Sequence, residues 1–108
     1  MLIDFSEIVG SKVENLRNGE GLAIVKKIIE NGKTMMQITL PPKSSIGFHT
    51  HVEDEEIVYV IKGEGTGIEK NGEYHLKTGD VIYMKQTESH SIINTSSDDL
   101  VILGIIQK

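Results

Sequence analysis

Hydrophobic positions in this chain come in short bursts rather than long stripes. Runs rich in Ile, Val, Tyr and Thr cover Leu22 to Ile29, Met35 to Leu40, Glu56 to Lys62, Thr66 to Lys70, Val81 to Met84, Ser91 to Thr95 and Leu100 to Ile106. Gly or Pro breaks separate them, and Asn-Gly pairs stand at 18–19, 31–32 and 71–72. Asn and Gly both tolerate positive φ, so each pair predicts a tight hairpin. Evenly spaced short strands predict an all-β sandwich or barrel. Leu22, Val25, Ile28 and Ile29 also fit a helical stripe, but the run is short and rich in β-branched residues, which favours a strand. A short helical turn is expected near Ser6 to Ile8. No stretch has the length and caps of a long helix, and no repeat of solenoid length is present.

Ile57-Val58-Tyr59-Val60-Ile61 and Leu100-Val101-Ile102-Leu103 are apolar on both faces, whereas a half-solvated sheet alternates. The second face therefore needs a cover, and a second copy of the same surface supplies the simplest one, predicting a homodimer. The alternative cover is an N-terminal strand over Leu2 to Phe5. At 108 residues the chain fits one domain, 1–108, large enough for its own core. With no cysteine, disulfides, thiolate nucleophiles and Cys-based metal sites are excluded, while His and carboxylate sites stay open. The net charge of −5 and the lack of a basic cluster beyond Lys26-Lys27 argue against a nucleic-acid partner. Asp4 and Glu7 interrupt any signal-peptide core, and no apolar run approaches the ~20 residues of a membrane span. A cytoplasmic protein without a membrane partner is expected.

Chemistry gathers around three histidines. In His49-Thr50-His51 the spacing of two on an extended chain puts both imidazoles on one face, with Cα atoms ~6.6 Å apart. One cation at ~2.1 Å from each ring nitrogen can bridge that gap. Glu56 opens an apolar strand, where an inward carboxylate without a partner costs several kcal/mol in desolvation and a divalent cation would offset it. The competing reading makes it the last of the solvated acidic run Glu53-Asp54-Glu55-Glu56, and charge alone does not separate Glu55 from Glu56. If Glu56 faces inward, Val58 and Val60 share its side. His90 likewise leads into an apolar strand, with Ile92 and Asn94 on its face; taken singly it reads as a hydrogen-bonded edge residue.

The segment from Pro42 to Asn94 resembles the cupin superfamily, whose members are small double-stranded β-helix, or jelly-roll, barrels. His49, His51, Glu56 and Gly63 fit its first motif, over about 43–63, and Gly79, His90 and Asn94 its second, over about 79–94. Lys43 stands where the first motif begins with Gly, and Lys85 and Thr87 stand where the second has Pro and Gly; these turn positions affect loop shape more than ligation. The resemblance implies that His49, His51, Glu56 and His90 bind one divalent metal in the barrel mouth, leaving room for water or substrate. Neutral imidazoles and a carboxylate suit Mn, Fe, Co, Ni, Cu or Zn. Such a centre carries a charge near +1 and attracts an anionic oxygen ligand, so the small-molecule partner is expected to be a carboxylate or enolate former.

Three functions fit, in this order: a metal-dependent enzyme of dioxygenase, decarboxylase or isomerase type acting on a small anionic metabolite, then a non-catalytic binding module, then a scaffold that the metal stabilises. Fold does not choose among them, and no residue stands out as a dedicated general base. The absence of Trp lowers a sugar-isomerase reading. Among secondary candidates, His75 reads as an exposed strand residue; Gln37, Tyr59 and Tyr83 as cavity lining, a proton donor or packing; Met35, Met36 and Met84 as adaptable core filling; and Lys26-Lys27 and the acidic run as solvated surface.

Overall fold

A computed structural model describes residues 1–108 and arranges them as two antiparallel sheets. The strands are β1 (Ser11–Glu14), β2 (Leu22–Glu30), β3 (Lys33–Leu40), β4 (Ser45–Thr50), β5 (Glu55–Lys62), β6 (Glu64–Glu69), β7 (Gly72–Lys77), β8 (Val81–Met84), β9 (Ser89–Ile93) and β10 (Leu100–Gln107). One sheet runs β1-β2-β3-β10-β5-β8 and the other β4-β9-β6-β7, and together they form the expected jelly-roll barrel. Two 3-10 turns, Phe5–Glu7 and Leu16–Asn18, complete the secondary structure. No helix is long and apolar enough to cross a membrane.

Each of the seven apolar runs forms a strand, including the ambiguous Leu22–Glu30 segment, and the N-terminal turn falls one residue before its expected place. Of the Asn-Gly pairs, Asn31–Gly32 makes the tight hairpin: both residues have positive φ, and Glu30 pairs with Lys33. At the third pair the turn residues are Lys70 and Asn71, with Gly72 already opening β7. The first pair makes no hairpin. Asn18 closes a 3-10 turn and Gly19 is extended, because this segment is a strap laid against β4. A Cβ on Gly19 would collide with the Ser45 carbonyl, and one on Gly47 with the Arg17 carbonyl, so two glycines let these backbones meet.

The inner faces hold a continuous core. Leu40, Val60, Leu76 and Leu100 fill one end almost without exposure, and Ile38, Val58, Ile82, Ile92 and Ile102 continue it toward the middle. Complete burial of such a side chain contributes roughly 1.5–3 kcal/mol. The alternation along β5 is strict, with Glu56, Val58 and Val60 buried and Ile57, Tyr59 and Ile61 exposed. Across β8, Tyr83 and Val81 pair with Ile57 and Tyr59 and are exposed too. The outer face is therefore apolar, as read, but Leu2 to Phe5 does not cover it. Leu2 is solvent-exposed and Phe5 begins a 3-10 turn.

Candidate metal centre

His49 faces inward because of a register shift. Between Ile46 and His49, β4 advances three residues while β9 advances two, from Ile92 to His90. The extra residue is a β-bulge, which restarts the alternation. Phe48 turns out to solvent, and His49, which a regular strand would put on the opposite side from Ile46, lines the cavity with it. His51 follows on the same side and is buried, so the spacing-of-two argument for this pair holds locally. His49 Nδ1 stands 2.7 Å from the Gly47 carbonyl, and His51 Nδ1 2.8 Å from Asp54 Oδ1. Neither acceptor can donate, so both Nδ1 atoms carry the proton and both Nε2 atoms are left as lone pairs in the neutral rings.

Glu56 reaches the site from β5 and His90 from β9. Glu56 Oε1 lies 3.1 Å from His51 Nε2 and 3.0 Å from His90 Nε2, and the two Nε2 atoms are 3.2 Å apart. Parity separates the two acids that charge could not. Glu55 points outward, where its carboxylate accepts a hydrogen bond from the Tyr83 hydroxyl at 2.9 Å. His90 Nδ1 is buried without a partner, so unlike the other two rings this one has no outer acceptor to align it.

The ligand atoms of His49, His51, Glu56 and His90 all lie within 4.8 Å of one another. Lone pairs and a carboxylate crowded together in a buried site require a positive charge among them. A proton on His51 is one such charge. Glu56 and Asp54 raise this histidine's pKa despite its burial. Burial opposes ionisation of Glu56, yet His51 and His90 hold its pKa down at about 2. Burial lowers the pKa of His49 and so keeps that ring neutral. A divalent ion fits the same place: three nitrogen donors and one oxygen donor, no sulfur, and outer acceptors already aligning two of the rings.

Comparisons with known proteins agree with this geometry. A family model described as a cupin domain matches residues 36–106. This chain belongs to the cupin family. An oxalate-binding protein of Thermotoga maritima is 35% identical over 112 residues, covering 98% of this chain and 93% of the relative. A Thermotoga maritima crystal structure described as a predicted oxalate decarboxylase superposes with a TM-score of 0.94 at 34% identity, covering 99% of this chain and 98% of that one. A double-stranded β-helix protein from Klebsiella pneumoniae shares the fold, with a TM-score of 0.78 at 21% identity over 98% of this chain and 88% of that one.

Where this cupin departs from the motif glycines, the backbone keeps the glycine conformation. Lys43 has φ +70° and Thr87 φ +76°, so loop shape is retained at the cost of backbone strain. Thr87 spends that strain on the site, because its N–H donates to the His51 carbonyl at 2.6 Å while the His51 N–H donates to the Glu88 carbonyl at 3.0 Å. Asn94, the last motif residue, is structural. Its Nδ2 donates to the Leu40 and Asp98 carbonyls, both at 2.7 Å, and its Oδ1 accepts from Ser96.

His49, Glu56 and His90 border a cavity of about 250 Å³ in the open end of the barrel, walled by Ile46, Val58, Ile92, Ile102 and Ile106 among others, and His51 lies behind them against Glu56 and His90. Sequence reasoning missed four contributors. Asp54, read as solvated surface, is largely buried and orients His51. Gly104 would, with a Cβ, stand 3.2 Å from Glu56 Oε2; its signal was a glycine inside an apolar strand. Arg17 and Lys27 both line the cavity, and Lys27 was also read as solvated surface. Among the secondary candidates, Tyr59 and Tyr83 lie outside, Gln37 faces Lys26 and Leu103 across its neighbouring strands, and His75 is an exposed residue of β7. Met84 is core, Met36 lines the cavity, and Met35 belongs to the opposite side of β3.

Proposed function

We propose that this cupin holds one divalent transition metal on His49, His51, Glu56 and His90 and uses it to capture a small anionic carboxylate of the oxalate class. The observation that carries the reading is the convergence of these four donors within 4.8 Å beside an otherwise largely apolar cavity. A bound divalent ion supplies Lewis acidity and positive charge for an anionic oxygen. The protein's part is to keep His49 and His51 in the right tautomer through Gly47 and Asp54, and to exclude water with isoleucine and valine walls. A cavity of about 250 Å³ suits a ligand of a few heavy atoms. The oxalate-binding relative supports the choice of ligand.

Capture is favoured over turnover. Glu56 is the only carboxylate lining the cavity, so once it and the histidines are committed to the metal, no free carboxylate or imidazole is left there to move a proton. A metal-dependent enzyme, of decarboxylase type in view of the Thermotoga maritima structure, is the second reading. One experiment tests both: load the protein with Mn, Fe, Co, Ni, Cu or Zn, titrate with oxalate by calorimetry, and follow product mass. Saturable binding without product, lost in His51→Ala, is the expected result. Sustained product formation replaces capture with catalysis. Metal far below stoichiometry, with no thermal shift on metal addition, sinks the centre.

The exposed apolar face of β5 and β8, which the N-terminus leaves uncovered, is proposed to dock a second copy of the chain. Light scattering at micromolar concentration should give twice the monomer mass.

A further inference from the structure

Two cavity residues have no role in the proposed centre. Arg17 and Lys27 line the same cavity as His49, Glu56 and His90, one from the strap and one from β2. Lys27 arrives there by strand parity, sharing its side with Ala23 and Val25 and standing opposite Met36. Neither cation belongs to any of the five ion pairs in the protein. What sets them apart is their place: they are the two cations among the residues that line this largely apolar cavity.

The backbone under Arg17 makes the same point. Asn15, Arg17 and Asn18 all have positive φ, at 52°, 53° and 65°. Asparagine visits this region readily, whereas a long side chain has no local compensation there. The strap that imposes the conformation is pinned at several points. Asn15 Nδ2 donates to the Gly19 carbonyl at 2.9 Å, Glu20 N–H to Ser45 Oγ at 2.9 Å, and Ser45 N–H to the Glu20 carbonyl at 2.9 Å. Gly19 and Gly47 close the remaining space. A strained arginine on a fixed backbone at a cavity edge is a residue kept for its side chain.

We propose that Arg17, assisted by Lys27, binds the second carboxylate of a two-headed small acid whose first carboxylate sits at the metal, so that the cavity selects dicarboxylates over monocarboxylates. The inference rests on the metal-capture reading and adds the group that discriminates. The chemistry fits. A guanidinium presents a fork of donors matched to a carboxylate, and the apolar walls strengthen that contact by excluding water.

The test uses Mn(II)-loaded protein titrated with sodium oxalate and with sodium acetate, beside a separate Mn(II) titration of the metal-free protein. Arg17→Gly is the main variant, because glycine accepts the positive φ and the fold is kept; its Tm should equal or exceed that of the parent chain. The expected result is unchanged Mn(II) affinity, oxalate affinity lower by about tenfold or more, and acetate affinity unchanged. Lys27→Met should give a smaller loss of the same kind. Because oxalate also chelates the metal, the readout is the ratio of the two affinities: an oxalate-over-acetate ratio as large in Arg17→Gly as in the parent chain overturns the proposal while leaving metal capture intact, as does a parent protein that binds Mn(II) but shows no such preference. Failure of the parent protein to bind Mn(II) removes the metal reading and this one with it.

Discussion

The two ends of this barrel are built from the same strands and do opposite things. Along β9 and the residue that follows it, His90 and Asn94 are both buried polar residues, with the buried Ile92 between them. Asn94, at the closed end, satisfies both its nitrogen and its oxygen within the protein and ties the turn before β10 to β3. His90, at the open end, leaves Nδ1 unpartnered and aims Nε2 at the Glu56 carboxylate. The same contrast runs along β5, from Glu56 to Val60, and along β3, from the cavity residue Met36 to the fully buried Leu40. A buried polar group that meets all its needs internally is structural, whereas donor atoms from four residues crowded within 4.8 Å are a set in need of a cation. The closed end packs leucines around a satisfied amide, while the open end carries crowded donors and two cations at its cavity. Packing at one end is what lets the other remain unsatisfied.

The sharpest way to break this division is to damage each end in turn. Leu100→Ala at the closed end should lower stability by about 2–5 kcal/mol in urea unfolding of the metal-free protein, the usual range for emptying a leucine site. Metal affinity of the folded fraction should not change. Coupled loss of both would show that the two ends are one cooperative unit and not a support and a site. Asp54→Ala at the open end should do the reverse. Without its carboxylate His51 loses its orienting acceptor, and metal affinity measured by competition with a chelator should fall by about 10–100-fold, while the metal-free protein loses only the roughly 1–3 kcal/mol of one unpaired buried donor. An affinity that stays put would make Asp54 a bystander.

Acidity offers a second separation, because the open end titrates. In the metal-free protein the His51 pKa is raised, chiefly by the Glu56 hydrogen bond, with Asp54 adding to it. Its stabilising contribution is therefore fully present below the unfolded value of about 6.5 and is lost as pH rises through the higher folded value. Metal requires the same nitrogen deprotonated, so metal-linked stabilisation grows across that window. Glu56, held near 2, remains ionised throughout; its contribution is present above the ordinary carboxylate range and fades only as pH falls toward that value. Thermal scans from pH 6 upward should thus show the gap in Tm between metal-loaded and metal-free protein widening. A constant gap would mean that His51 does not both titrate and ligate in this range. The variant Leu100→Ala should shift both curves down together and leave the gap alone.

How much of this could be read from the chain depends on which end is considered. The closed end is written in local pattern: runs such as Leu100 to Ile106 and Glu56 to Lys62 mark strands because burial enforces their side-chain alternation. The open end is written partly in the motif spacing that makes the chain resemble a cupin, and that resemblance is what brought His49, His51, Glu56 and His90 forward together. The rest depends on long-range placement. The bulge that turns His49 inward is a single extra residue, visible only when β4 is paired with β9. β4 itself was not read as a strand, since Ser45 and Gly47 break the apolar run. Asp54 is hidden in an acidic run that looks solvated, and Arg17 matters only because a strap after β1 crosses the barrel mouth.

The smallest expected effect bears most directly on why the open end tolerates strain. Thr87 is β-branched at φ +76°, a conformation costing roughly 1–3 kcal/mol, while glycine there costs about 0.5–1 kcal/mol in unfolded-chain entropy. Thr87→Gly should therefore raise stability of the metal-free protein by about 1 kcal/mol, read as a higher urea midpoint at unchanged slope. The Thr87 N–H that holds the His51 carbonyl survives the change, but the loop around it gains freedom. If strain at this end serves to fix His51, the stabilised variant should bind metal slightly more weakly than the parent chain. Stabilisation with no loss of affinity would mean instead that the turn bears its strain for no purpose at the site, and that the division between the two ends lies in side chains alone and not in the backbone.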